Sequence, residues 1–352
     1  MFPTSYVPLV IEGESGSVAW KNSKPSSTRL CRPLRFTFAK ETPEVTREEV
    51  QKTMTEIVQL RPSKIKMAGQ EFQVEHRLLL TMIDGKVAQV LCDVPSMAVC
   101  CVCGALSSEM NKLEAISQRA ISSEALQFGL SPLHARIKSM ECFLHISYRL
   151  QFRSWRINAR TTALHNQRKR GIQQEFRQRL GLLVDVVGST VDGNTARKFF
   201  ADPEVTSEIT GIDADLLRRF SVILDAINCK LPLDSAKFGS FCSETARSFV
   251  ELVRWYYMPN TVHKLLMHGK VIVEEALQPI GTLSEEAQEA SNKTYKEFRL
   301  RHSRKIKRVA TNLDVMHMML ATSDPFMDSI RLEPKRQSLD LNKEVSALLA
   351  ID

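Results

Sequence analysis

Several features are missing from this 352-residue chain, and each absence narrows the reading. No apolar run approaches the ~18 residues that a membrane-spanning helix needs, so no membrane partner is expected. The opening "MFPTSYVPLVIEG" lacks a basic n-region and a long apolar h-region, so no secretory signal is expected there. Eight cysteines in a chain this long do not make a disulfide scaffold, which favours reduced thiols in a cytosolic or nuclear protein. No repeat of fixed period is visible, so a solenoid or propeller is not indicated. Acidic residues are also short, 40 against 48 Lys and Arg.

What is present is ordinary for a globular protein with a buried core: 43% hydrophobic and 25% charged residues. The length suggests two domains, or one domain carrying a large insertion. The net charge of +8 and pI of about 9.1 favour a polyanionic partner, although a solvated basic surface gives the same count.

The first hundred residues read as β-rich. "SYVPLVIEG" and "LRFTFAK" suit short strands, with the Gly-, Ser- and Pro-rich "GESGSVAWKNSKPSSTR" as the loop between them. "TPEVTREEVQKTMTEIVQL" opens on a Thr cap candidate and predicts a helix. "EFQVEHRLLLTMI" predicts the next strand, and "GKVAQVL" its continuation beyond Asp84. From about residue 106 helical patterns dominate, the last strong one being "SEEAQEASNKTYKEFRLRHSRK". The stretch from roughly Met327 is polar and weakly periodic and is expected to be poorly ordered.

Three constellations carry chemistry. Cys100 and Cys103 have the x-x spacing of one zinc-ligand pair, which leaves Cys101 as a non-ligand. His263 and His268, five apart, complete a Cys2His2 set if their helix ends or bends between them; core cysteines and surface histidines explain the same residues. Basic residues concentrate from Arg149 to Arg179, among them Arg153, Arg156, Arg168, Lys169 and Arg170, and again from Lys296 to Arg308. Such charge neutralises phosphates and the interleaved Phe152 and Trp155 can stack on bases, or the clusters are solvated helix faces. Asp84 sits at a strand end and Glu289 in the first turns of a helix, where a lone acid is more often structural than catalytic.

"NTVHKLLMHGKVIVEEALQPIGTLSEEAQEASNKTYKEFR" closely resembles the C-terminal part of Transib transposases, the family related to the catalytic protein of V(D)J recombination. "FGLSPLHARIKSMECFLHISYRL", "GNTARKFF" and "VELVRWYYMPNTVHK" resemble the same family, and the likeness runs over roughly residues 25 to 326. It implies an α/β plus α architecture: an RNase H-like mixed sheet interrupted by a long helical insertion. A D-D-E triad in that family binds Mg²⁺ or Mn²⁺ to nick DNA and form hairpins. Asp84 matches the second catalytic Asp and Glu289 the catalytic Glu. Cys100, Cys103, His263 and His268 match structural Zn²⁺ ligands. Arg197 and Lys198 resemble a segment close to DNA, and His134 is a candidate active-site neighbour.

The resemblance divides the chain into residues 1–99, a partial RNase H-like core; 100–275, a zinc-stapled helical insertion; 276–326, the catalytic-Glu helix and basic segment; and 327–352, a flexible tail. The family's first catalytic Asp would lie on a strand N-terminal to residue 1. Two of three carboxylates should hold the ions poorly. The expectation is a nuclear protein binding double-stranded DNA at terminal repeats, with a homodimer left open. It is either an impaired strand transferase or a non-catalytic, domesticated or decayed DNA-binding protein.

Overall fold

The computed structural model describes the chain apart from Met1, Phe38, Glu41, Leu79, Thr81, Met82, Asp84, residues 186–192, Ser284, Glu285, residues 332–340, Ile351 and Asp352. The N-terminal part holds strands β1 (Phe2–Tyr6), β2 (Val10–Glu12), β3 (Val18–Lys21) and β4 (Arg32–Thr37). Helix α1 (Pro43–Val58), strands β5 (Ser63–Met67) and β6 (Gln70–Val74), and helix α2 (Gly85–Leu91) follow. Next come helices α3 (Leu113–Ser117), α4 (Ser123–Leu126), α5 (Pro132–Ser147), α6 (Thr162–Leu180) and α7 (Gly193–Ala201). Helices α8 (Pro203–Thr210), α9 (Ala214–Asn228), α10 (Ser235–Val253) and α11 (Asn260–Glu275) continue the run. The chain then forms α12 (Glu286–Glu297), a π-helical turn Phe298–His302, α13 (Arg308–Thr322), α14 (Pro325–Ser329) and α15 (Lys343–Ser346). The protein is thus mixed α/β and mostly helical.

Two compact units result. One comprises Met1–Asp93 with Glu286–Leu332, the other Val94–Glu285 with Glu333–Asp352. In the first, the strands form three two-stranded antiparallel pairs, β1 with β4, β2 with β3, and β5 with β6. Among the described residues this replaces the expected single mixed sheet. In the β5–β6 hairpin, β5 (SKIKM) is exposed along its whole length and, among the described residues, pairs with β6 alone. Its turn places Ala68 and Gly69 at φ of 49° and 81°, the left-handed pair that matches strand twist.

Helix α1 starts as expected, with the Thr42 hydroxyl accepting from the Val45 amide and Pro43 in the first turn. "GKVAQVL" is helix α2 rather than strand, because Val87, Ala88, Val90 and Leu91 repeat at helical spacing. Helices α12 and α13 pack with β4 around Tyr295, Val315 and Met319, where Phe36 lies 4.9 Å from the Tyr295 ring.

The second unit is a helical assembly around a phenylalanine core. Phe143, Phe200, Phe220 and Phe249 are fully buried, and the Phe143 and Phe220 rings meet edge-on at 4.8 Å. Short caps punctuate its helices: Ser131, Asp202, Asp213 and Asp234 each accept from amides one turn on. Gly181 and Gly211 terminate α6 and α8 in the left-handed conformation. The helical pattern that starts near residue 106 opens with two short helices, α3 and α4, since Ser122 caps afresh at Ala125. The polar stretch expected to be loose contains α15, where Val345, Leu348 and Leu349 are buried and α15 packs on α9. Their apolar spacing covers core that α9 alone leaves open.

Candidate metal centre

The Cys-x-x-Cys segment is a tight backbone turn. The Cys100 amide donates to the Ala105 carbonyl at 2.9 Å and the Gly104 amide to the Cys100 carbonyl at 2.8 Å. Val99 and Leu106 bridge antiparallel across its base. Gly104 closes the turn at φ +68°, a conformation other residues adopt with strain. This geometry turns both sulfurs to one side. Cys100 and Cys103 are buried, whereas Cys101 is only half-buried and stands outside the cluster, as the spacing predicts.

Helix α11 supplies the other half. It runs unbroken through His263 and His268, which corrects the expectation of an end or bend between them. Five helical residues turn the chain by about 500°, so the two positions lie about 140° apart round the helix and about 7.5 Å apart along the axis. The imidazoles span that gap, with ring centroids 5.0 Å apart and nearly perpendicular. His263 is 0% exposed and His268 3%.

Sulfur and nitrogen atoms of Cys100, Cys103, His263 and His268 all lie within 4.8 Å of one another, and Cys103 Sγ is 3.4 Å from His263 Nε2. A tetrahedral zinc with metal–sulfur bonds of about 2.3 Å and metal–nitrogen bonds of about 2.05 Å separates its ligands by about 3.3–3.8 Å. The observed pair falls inside that range. The buried nitrogens make the same point: His263 Nδ1 and both nitrogens of His268 have no hydrogen-bond partner. Buried polar atoms left unpaired are costly, and a metal would satisfy one nitrogen of each ring. The buried Cys2His2 group can therefore hold a metal such as zinc.

Electrostatics prepare the sulfurs. A hydrogen bond from the Cys100 thiol pushes Cys103 far down, towards the thiolate, with His263 and the Ala105 amide adding to it. The same bond and burial push Cys100 up. Burial lowers His263, favouring the neutral, ligating imidazole. A divalent ion would replace the shared proton.

Two asparagines, missed in the sequence, brace the centre. Asn260, the first residue of α11, donates to the carbonyls of Met97 at 3.2 Å and Val99 at 2.9 Å. Asn111 donates to the Tyr256 carbonyl at 2.8 Å and accepts from the Met258 amide at 3.0 Å. Together they fasten the knuckle to the approach to α11. Local patterning offers no signal for them, because their partners are backbone groups more than a hundred residues away.

The remaining candidates are distributed otherwise. Asp84 lies outside the described residues. Glu289 is exposed in the first turn of α12, and the metal-binding group found among the described residues does not include it. Arg168 donates to the Thr210 carbonyl at 2.9 Å, closing the end of α8. Lys169 pairs with Asp185 at 2.7 Å and sits over the Tyr148 ring. Those two cations have structural partners. Arg153, Arg156, Arg170, Arg197 and Lys198 are exposed, with Arg197 also donating to Asn194 Oδ1 at 3.1 Å. His134 is half-buried in the first turn of α5, its amide bound to the Ser131 hydroxyl at 2.7 Å.

No protein-family model matches the chain, and no curated protein matches it. No helix among the described residues is long and apolar enough to cross a membrane.

Proposed function

We propose that this chain is a zinc-stapled DNA-binding protein of the transposase and recombinase class. The observation that carries this reading is the buried Cys2His2 group, whose halves come from residues 160 positions apart. A zinc ion there would tie the Cys100 turn to α11 and add folding free energy to the helical unit. The exposed cations Arg153, Arg156, Arg170, Arg197 and Lys198 supply positive charge on that same unit for double-stranded DNA. The segment Glu286–Leu332, which carries Glu289, packs with Met1–Asp93 after the helical excursion. That organisation suits an RNase H-like core split by an insertion.

A second reading keeps the catalytic activity. Asp84 and Glu289 would be two of the carboxylates of a metal-dependent strand transferase resembling the Transib type. One experiment separates the readings. The purified chain is given Mn²⁺ and a duplex carrying a terminal repeat, at several salt concentrations. Salt-sensitive binding without cleavage supports the DNA-binding protein. Nicking that vanishes in Asp84→Ala and Glu289→Ala supports the enzyme. Absence of any salt-sensitive binding defeats both and leaves a helical interaction protein.

A further inference from the structure

The turn after α5 and the link between α10 and α11 bring four aromatic rings together on the helical unit, with Trp255 5.8 Å from the Tyr256 ring. Trp155 lies 4.5 Å from the Tyr256 ring, meeting it at 60°, and 5.0 Å from the Tyr257 ring, tilted by 39°. Tyr256 is buried at 4% exposure, so it is the foundation of the group. Trp155 and Tyr257 keep 38% and 36% of their surfaces in solvent. Two large conjugated rings therefore stand open beside each other.

The backbone holding them is fixed. Asn111 grips the Tyr256 carbonyl and the Met258 amide, and it also donates to the Arg254 carbonyl at 3.3 Å. On the other side, the Arg153 amide closes on the Arg149 carbonyl at 2.8 Å, with Arg153 in the left-handed conformation at φ 44°. The surroundings are cationic. Arg149 lies over the Tyr256 ring at 5.9 Å. Arg153 and Arg156 flank Trp155 in the chain, Arg254 precedes the aromatic run, and all three are exposed. Two acids bear on the group: Glu251, exposed in the last turn of α10, and Glu141, whose charge acts on Tyr256 and which pairs with Lys138 at 2.8 Å.

Flat, exposed rings with exposed arginines next to them in the chain match a ligand with flat π-faces and a negatively charged backbone. A double helix offers its phosphates but keeps its base faces stacked inside. We propose that Trp155 and Tyr257 form a stacking platform for unpaired bases of single-stranded DNA, with Arg153, Arg156 and Arg254 taking the adjoining phosphates. This deepens the nucleic-acid reading above and rests on it. Stacking tolerates any base, so the platform would distinguish unpaired from paired DNA rather than one sequence from another.

The test measures fluorescence anisotropy of the full chain with an oligothymidylate of about twenty nucleotides and with a blunt duplex of the same length, at one salt concentration. Trp155→Ala is expected to weaken single-strand binding by about tenfold or more, while Trp155→Phe stays within about threefold and duplex affinity shifts by less than about twofold. Tyr257→Ala should repeat the loss, which keeps the proposal testable if Trp155→Ala fails to fold. A 2-aminopurine placed in the strand should be quenched by the parent chain and not by Trp155→Ala. Single-strand affinity unchanged in Trp155→Ala and Tyr257→Ala would overturn the platform. So would equal losses on both DNAs. Duplex binding with no oligothymidylate binding sinks the platform while leaving the DNA-binding reading intact; binding of neither DNA sinks both.

Discussion

Cys103 Sγ and His263 Nε2 stand 3.4 Å apart although 160 residues separate them in the chain. Neither partner tolerates that burial well alone: a thiolate and an imidazole removed from water need each other, or an ion between them. Metal removal should therefore act on the helical unit as a whole. The purified chain is expected to carry one zinc per molecule. Chelation, or Cys103→Ser, should lower the melting temperature by about 10 °C or more, since each kcal/mol is worth about 2–4 °C in a unit of this size. Elemental analysis with calorimetry checks this, and a chain that folds equally well without metal would refute the staple.

Glycine substitutions separate two uses of the residue. A Cβ on Gly281 would lie 2.2 Å from the Cys229 carbonyl oxygen and 2.5 Å from that of Asn228. Backbone cannot yield as a flexible side chain can, so Gly281→Ala should destabilise by about 3 kcal/mol or more. Gly171, inside α6, meets nothing within 4 Å. Gly171→Ala should stabilise by about 0.5–1 kcal/mol through helix propensity. Urea unfolding of the two variants is expected to move the midpoint in opposite directions.

Asp314 on α13 should be an unusually acidic carboxyl. Arg304 donates to it from Nη2 at 2.7 Å and from Nε at 3.0 Å, and its amide adds a third bond at 2.9 Å. These bonds hold the carboxyl down at about 2, against an ordinary value of 3.8. A depressed carboxyl stabilises the folded state fully above the unfolded value, and the contribution fades as pH falls from 3.8 towards 2. Carbon-detected NMR titration should find the low value, and Arg304→Ala should return it towards 3.8.

Neighbouring cations on α6 should behave differently on mutation. Arg168 closes α8 through the Thr210 carbonyl, and its guanidinium lies 3.4 Å from where a Cβ on Gly211 would stand. Arg168→Ala should cost about 1–2 kcal/mol of stability by leaving that carbonyl unpaired. Arg170 is exposed and donates from Nε back to the Asn166 carbonyl at 3.3 Å on the same helix. Arg170→Ala should leave stability unchanged and reduce the salt dependence of duplex binding by about one unit of slope. Thermal melts paired with salt titrations read both outcomes, and the reverse pattern would reassign the two residues.

Local chemistry was legible in the sequence where its cause is local. Thr42 with Pro43, and Ser131 with Pro132, announce helix starts because cap and first turn are adjacent residues. The x-x spacing marked Cys100 and Cys103 as a pair and excluded Cys101, because a turn of that length brings both sulfurs to one side. The reading of "GKVAQVL" went astray because seven residues are too few to separate helical from strand spacing. The stretch holding Val345, Leu348 and Leu349 looked loose because its apolar residues matter only against α9.

By itself, then, the sequence determined which four residues can form a Cys2His2 set, that helices dominate from about residue 106, and that the chain carries excess positive charge. Tertiary structure alone decided that Cys103 meets His263, that Asn260 and Asn111 brace the centre, and that Arg168 and Lys169 are occupied while Arg170 faces solvent. It also set Trp155 beside Tyr257. Each of these depends on distance between residues remote in the chain, and that distance follows from how helices pack around a shared core rather than from the spacing of letters.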